Sequence, residues 1–334
     1  MSYASGGLIQ ATDYNNFAWG GTQGTYANVA GTPNIAWVMG VGKGVSGYGQ
    51  NLSAINTVSS SGVVTAVQWA GLVYTLNQAL AHQNQTQLGG GLGGANINMT
   101  TGQTITYFSN VQTAVSQINT TANSAVSNGS TYSSSAFTTS VTFTQTTGCT
   151  APQTSSFTHT ATFSSGADAA RYFFNAGGYI TYTITATNVN GTLKSADLQN
   201  NWATFQGGGT IRGASSTPRS GSGGTVNTGS TSLGYWQLTT SPQVLSKITS
   251  TNYRYEYTQD YTQVSVQTNG LQGSNADNGT VITWTFLTSD EGKINSSDPA
   301  NFNDNVSVNV TVTYTVYPPE STYLTNSWGT ITFA

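Results

Sequence analysis

From Val306 to Val316 the chain reads Val-Ser-Val-Asn-Val-Thr-Val-Thr-Tyr-Thr-Val, eleven residues that alternate apolar and polar without a break. Successive side chains of an extended strand point to opposite faces, so this run describes a strand with one buried face. Pro318-Pro319 ends it, because neither residue has an amide hydrogen to give to a ladder.

The same period of two governs the chain from about residue 130 onward. Phe137, Val141 and Phe143 sit among Ser and Thr. Segments 157–163, 179–185, 253–257, 264–266 and 281–286 follow, and a short strand at 329–333 closes the sequence. β-Branched and aromatic segments separated by Gly, Asn and Ser predict an antiparallel β-sandwich. His159 falls within the 157–163 strand and is expected on the face opposite Phe157 and Phe163, solvated or loosely hydrogen-bonded. Two helical inserts are expected, at 167–174 and at 195–205, the second with Leu198, Trp202 and Phe205 on one face. Residues 207–229, rich in Gly, Ser and Thr, read as an exposed loop.

Upstream the pattern is different. Residues 1–60 are repeatedly broken by Gly and predict a loop-rich segment with one or two short helices, one of them capped by Thr12 and carrying Tyr14, Phe17 and Ala18. Thr65-Ala-Val-Gln68 has capping-box form, and Trp69, Val73, Leu76 and Leu80 follow at helical spacing, predicting a helix over 66–83. A Gly-rich connector at 89–94 precedes a second box, Ser109 to Gln112, and a helix over 110–127 carrying Val111, Val115, Ile118, Ala122 and Ala125. Both stripes are narrow, suiting either a hairpin packed on itself or a seam between subunits. The expected fold is therefore mainly β with an α-helical N-terminal part: a loop-rich helical region for assembly over 1–130, and an antiparallel β-sandwich with short helical inserts over 131–334.

Charge limits what such a chain can do. Of 334 residues only 8 are Lys or Arg and 11 are Asp or Glu, 6% in all, against roughly 25% in an ordinary soluble domain. Eight scattered basic residues offer no patch for phosphates, which excludes nucleic acid. Before Asp168 the only charges are Asp13 and Lys43. A nearly neutral half-chain lacks the surface charge that keeps a protein soluble, so a cover is expected. Membrane is the wrong cover, since no run approaches the ~18 apolar residues of a span, and Met1 to Ser5 lacks the basic and apolar regions of a secretory signal. Protein is the expected cover: further copies of the chain or a larger assembly. The 18 Tyr, 12 Phe and 7 Trp supply ample apolar surface for folding.

Groups for catalysis are scarce. Cys149 is the single cysteine, which excludes an internal disulfide or a multi-cysteine metal site. His82 is expected to interact with the C-terminus of its helix. Cys149 and His159 have no third residue to orient them as a pair, and no Ser lies in a nucleophile-elbow pattern. Asp290, Glu291, Asp298 and Asp304 form the densest acidic group; a solvated loop is the leading reading, with a weak Ca²⁺ site or a glycosidase carboxylate pair as alternatives, and the spacing is not that of an EF-hand. The glycines at 89–94 lack the Lys-Ser/Thr of a P-loop. Sequons such as those at Asn98 and Asn309 carry no weight without a secretion signal. Tyr253, Tyr255 and Tyr257, and the cluster Tyr172-Phe173-Phe174, suit core or interface packing better than sugar stacking. No catalytic, cofactor-binding or metal-binding residue is assigned, and a non-enzymatic protein is expected.

Two stretches carry a resemblance. Ala-Ser-Gly-Gly-Leu-Ile-Gln-Ala-Thr-Asp-Tyr-Asn-Asn-Phe from Ala4 to Phe17 and Phe-Ser-Ser-Gly-Ala-Asp-Ala-Ala-Arg-Tyr-Phe-Phe-Asn-Ala-Gly-Gly from Phe163 to Gly178 resemble segments of virion structural proteins of tailed bacteriophages, particularly tail-associated and fibre-like ones, and the closing Trp-Gly-Thr-Ile-Thr-Phe from Trp328 to Phe333 is compatible with that group. The resemblance implies synthesis in the bacterial cytoplasm, a place in the virion, assembly in many copies with other virion proteins, and a role in a tail fibre, baseplate or tail-tip appendage. Capsid decoration, a head fibre, or a receptor- or glycan-binding module on the virion surface are the alternatives. The middle stretch also has a reading of its own. It forms a corner at which one or two helical turns drop aromatics into the core, Gly177-Gly178 returns the chain to a strand, and Asp168 and Arg171 pair weakly on the turn.

Overall fold

The computed structural model describes residues 9–20, 34–42, 46–53, 55–94, 98, 108–121, 125, 127–131, 133–143, 153–203, 208–213, 225–227, 234–249, 261–270, 279–290 and 306–334. Ten strands are found among them: β1 (Ser133–Phe143), β2 (Gln153–Phe163), β3 (Tyr179–Asn188), β4 (Gly209–Ile211), β5 (Thr225–Asn227), β6 (Gln243–Thr249), β7 (Tyr261–Thr268), β8 (Val281–Asp290), β9 (Val306–Tyr317) and β10 (Ile331–Phe333). They make a four-stranded sheet, β1-β9-β3-β4, and a six-stranded sheet, β10-β2-β8-β7-β6-β5, with every pairing antiparallel. The protein is a β-sandwich with helical insertions.

The alternating run becomes β9, and it lies between two long neighbours. Val316 to Val306 pair with Ser133 to Phe143 of β1 on one side, while Tyr317 to Val308 pair with Tyr179 to Asn188 of β3 on the other. Its four even-numbered valines before Tyr314, together with Tyr314 and Val316, are all buried. They face the second sheet: the Tyr314 ring lies 5.0 Å from Trp284 and 4.9 Å from Phe333, and Tyr182 of β3 lies 6.2 Å from Phe286 of β8. Burying each such side chain stabilises the fold by about 1.5–3 kcal/mol.

Six α-helices are described: α1 (Ala11–Trp19), α2 (Ile35–Met39), α3 (Ala66–His82), α4 (Phe108–Thr120), α5 (Ala169–Asn175) and α6 (Leu193–Ala203). The first capping box forms as expected, with the Gln68 amide donating to Thr65 Oγ1 at 3.2 Å and the Thr65 amide to Gln68 Oε1 at 2.9 Å. Two expected cap residues fall within their helices instead. Thr12 lies inside α1, where Gln10 takes the cap position and its amide donates to Asp13 Oδ2 at 3.2 Å. Ser109 lies inside α4, which runs earlier than the expected 110–127. Within 207–229, where an exposed loop was expected, residues 209–211 and 225–227 form strands, and Ile211 is buried opposite Ile180. The expected strand at 253–257, Phe205, Cys149, Glu291, Asp298 and Asp304 lie outside the described residues, and Asp290 ends β8.

The apolar interior is continuous. One cluster of buried side chains runs from Tyr14, Val38, Trp69, Leu76 and Val115 of the helices, through Phe173 and Phe174 of α5, to Val310, Trp284 and Phe286 of the sheets.

Candidate functional site

The corner formed by α5 is where the helical region meets the sandwich. All seven residues of α5 are buried. Its aromatics fill the core: Phe173 lies 5.3 Å from Phe163 and 6.1 Å from Trp328, and Phe174 stacks on Tyr235 at 4.4 Å. Arg171 and Asn175 stand one helical turn apart, on the same side of the helix. Both reach main-chain carbonyls at residues 41, 46 and 47. Arg171 Nη1 donates to the Ser46 carbonyl at 2.7 Å and Nη2 to the Val41 carbonyl at 3.3 Å. Asn175 Nδ2 donates to the carbonyls of Ser46 and Gly47, each at 3.1 Å, while its Oδ1 accepts from Trp236 Nε1 at 2.8 Å.

The Asp168–Arg171 pair exists, at 3.4 Å, yet the expectation of a weak exposed pair needs correcting. Arg171 is wholly buried, and its charge is met chiefly by main-chain oxygens from a distant part of the chain. A buried guanidinium is costly unless its donors are used, and these carbonyls take up donors on Nη1 and Nη2.

The segment 46–50 is held from its other side as well. Ser327 Oγ donates to the Tyr48 carbonyl at 2.6 Å, and the Thr325 amide donates to Gln50 Oε1 at 2.8 Å while Gln50 Nε2 returns a bond to the Thr325 carbonyl at 3.0 Å. Gly49, at φ +67°, lies so near Tyr172 that an added Cβ would sit 2.5 Å from its ring. Three parts of the chain, near residues 46, 173 and 326, thus meet in one polar clasp.

His82 completes it. As the last residue of α3 it is buried, with Nε2 2.8 Å from the Ala176 carbonyl and its ring edge-on to Tyr48 at 5.4 Å. Burial lowers its pKa, opposed by the Ala176 hydrogen bond and by Glu320. The neutral ring therefore donates through Nε2, and Nδ1 has no hydrogen-bond partner among the described residues. The position is at the helix end as expected, but the partner is the sandwich corner. Gln83, the next residue, donates to Tyr48 Oη at 2.6 Å and to the Ile118 carbonyl at 3.1 Å, and accepts from Thr121 Oγ1 at 2.6 Å, so the clasp extends to α4.

His159 is the second correction. Residues two apart in a strand share a face, so His159 points inward with Phe157 and Phe163. It is 5% exposed, 4.8 Å from the Phe137 ring and 5.5 Å from Phe286, with Nδ1 3.2 Å from Tyr314 Oη. Burial pushes the imidazole pKa down and the Tyr314 phenol well up, so both groups are held neutral. Their hydrogen bond ties the two sheets together inside an aromatic enclosure.

Chemically, these arrangements fix segments; they do not activate a nucleophile. Among the described residues no group of three or more His, Cys, Asp or Glu is disposed to hold a metal ion, and no helix is long and apolar enough to cross a membrane. Ser46, Gln50, Gln83, Asn175 and Ser327 carry the clasp and were not singled out from the sequence. The available signal was Arg171 itself, a lone cation beside the aromatic run Tyr172-Phe173-Phe174. No protein-family model, curated protein or solved structure matches the chain.

Proposed function

We propose that this chain is a non-enzymatic structural protein of a tailed-bacteriophage virion, present in many copies in a tail fibre, baseplate or tail-tip appendage. The observation that carries the reading is the clasp: the segment 163–178, which resembles phage tail proteins, is also the segment whose Arg171 and Asn175 lock the helical region onto the sandwich. A resemblance that includes a fastening element fits a shared building role. The outward faces of β1 and β9 support it further, because they carry Ser, Thr and Asn in mutual contact, Thr138 Oγ1 with Thr311 Oγ1 at 2.7 Å and Ser140 Oγ donating to Asn309 Oδ1 at 2.8 Å. A surface so short of charge suits a neighbour in an assembly. Mass spectrometry of purified particles tests the proposal: the chain is expected in multiple copies per virion, and its absence from particles refutes it.

A second reading, a glycan-binding module on the virion surface, is favoured by one arrangement. The half-buried rings of Tyr179 and Tyr317 stack at 4.4 Å, and the exposed Arg212 lies 3.9 Å over Tyr179. Flat aromatics beside a guanidinium suit the faces and hydroxyls of sugars. A glycan array probed with the whole chain tests this; binding lost on Tyr317→Ala supports it, and no binding to any glycan refutes it.

A further inference from the structure

A sheet edge is a row of unpaired amides and carbonyls, and proteins blunt such edges with short strands, charges, prolines or bulges. Among the described residues three of the four edges here are blunted by length, since β4, β5 and β10 have three residues each. The fourth, β1, has eleven. It contains no charge, no proline and no glycine, and its pairing with β9 runs from Ser133 to Phe143 without a bulge. Phe137, on its inner face, is only half buried, as are Ser133, Ser135 and Thr139.

We infer that the outer edge of β1, which pairs with no other strand among the described residues, pairs antiparallel with the β1 of a second copy of this chain, about a two-fold axis through Thr138. In that register Ser133 meets Phe143 of the second copy, Phe137 meets Thr139, and Thr138 meets itself. Odd-numbered residues then face odd-numbered ones, so the inner faces of both sandwiches continue across the joint and Phe137 gains the cover it lacks. Length argues for a second copy: an equally long, bulge-free edge matches β1 from end to end, and a charge-free strand meets its own sequence without repulsion. The two four-stranded sheets become one of eight strands. This deepens the many-copy reading above by naming the contact.

The test uses the full-length chain in analytical ultracentrifugation at micromolar concentration. Wild type is expected to sediment as a dimer or a multiple of one. Thr138 is exposed, and Thr138→Lys sets two like charges opposite each other, so this variant is expected to keep the wild-type circular dichroism and weaken association at least about tenfold. In a Cys149→Ser background, Thr138→Cys is expected to form a disulfide-linked dimer on mild oxidation, a readout that stands even if the lysine variant misfolds. A monomeric wild type overturns the proposal. Multimers unaffected by Thr138→Lys and not cross-linked through Cys at 138 also overturn it, while leaving the virion reading to be decided by particle composition.

Discussion

The guanidinium of Arg171 donates to the carbonyl of Ser46 across 125 residues of sequence, at 2.7 Å and in full burial. The bond joins the corner helix α5 to the N-terminal region, on the opposite side of segment 46–50 from Ser327 and Thr325. Replacing Arg171 by Met takes the donor from the Val41 carbonyl and leaves the Ser46 carbonyl to Asn175 alone, and at roughly 1–3 kcal/mol for a buried group left unpaired the expected loss is about 1–3 kcal/mol. Lys in its place is expected to recover little, because one ammonium does not reproduce the planar fork. Urea denaturation of the three proteins checks both statements.

Arg171 and Asn175 share the Ser46 carbonyl, so their contributions are coupled. Once one donor is gone, losing the other costs more, because the oxygen is then left with none. A double-mutant cycle with Arg171→Met and Asn175→Ala is expected to show a non-additivity of about 0.5–3 kcal/mol. Strict additivity would mean that the two side chains act on separate elements.

Both histidines are buried with their pKa values lowered by desolvation from 6.5. The unfolded chain therefore takes up protons near pH 6.5 that the folded chain refuses. Stability is complete above that pH and declines as pH falls, by about 1.4 kcal/mol per unit for each histidine until its folded pKa is reached. His82→Gln, which keeps a donor for the Ala176 carbonyl, and His159→Phe are each expected to remove one proton's share of the slope as pH falls below 6.5. Equal slopes in wild type and both variants would contradict the burial of the rings.

At the corner, the return from α5 to β3 uses Gly177 at φ +97° and then Gly178, where an added Cβ would sit 2.6 Å from the Phe173 ring. Gly178→Ala is expected to displace that ring from Phe163 and Trp328 and to destabilise by about 1–3 kcal/mol, as overpacking does. Thermal unfolding followed by near-ultraviolet circular dichroism measures the loss and the disturbed aromatic packing together.

What was legible in the sequence follows the range of the physics involved. The alternation at 306–316 and the apolar spacing of α3 are periodic signals, and each recurs often enough within its element to identify it. The strands at 209–211 and 225–227 have three residues apiece, too few for any period, and exist because a longer strand offers them a ladder. The inward placement of His159 was contained in its spacing from Phe157, but the polarity of imidazole suggested the wrong face; Tyr314 supplies the partner that makes burial acceptable. The clasp was least legible. Most of its acceptors are main-chain carbonyls, among them those of Val41, Ser46, Gly47, Tyr48 and Ala176, and a main-chain oxygen is the same whatever residue carries it.

The central place of β9 in its sheet has a consequence for synthesis. Both β1 and β3 pair with β9, so strands that leave the ribosome early wait for more than a hundred further residues before their ladder forms. During that interval a long, nearly neutral, β-prone polypeptide is displayed without its partner, and contacts of such sequence separation close slowly. The yield of this protein in a cell is therefore expected to depend on translation rate and chaperone supply as well as on native-state stability.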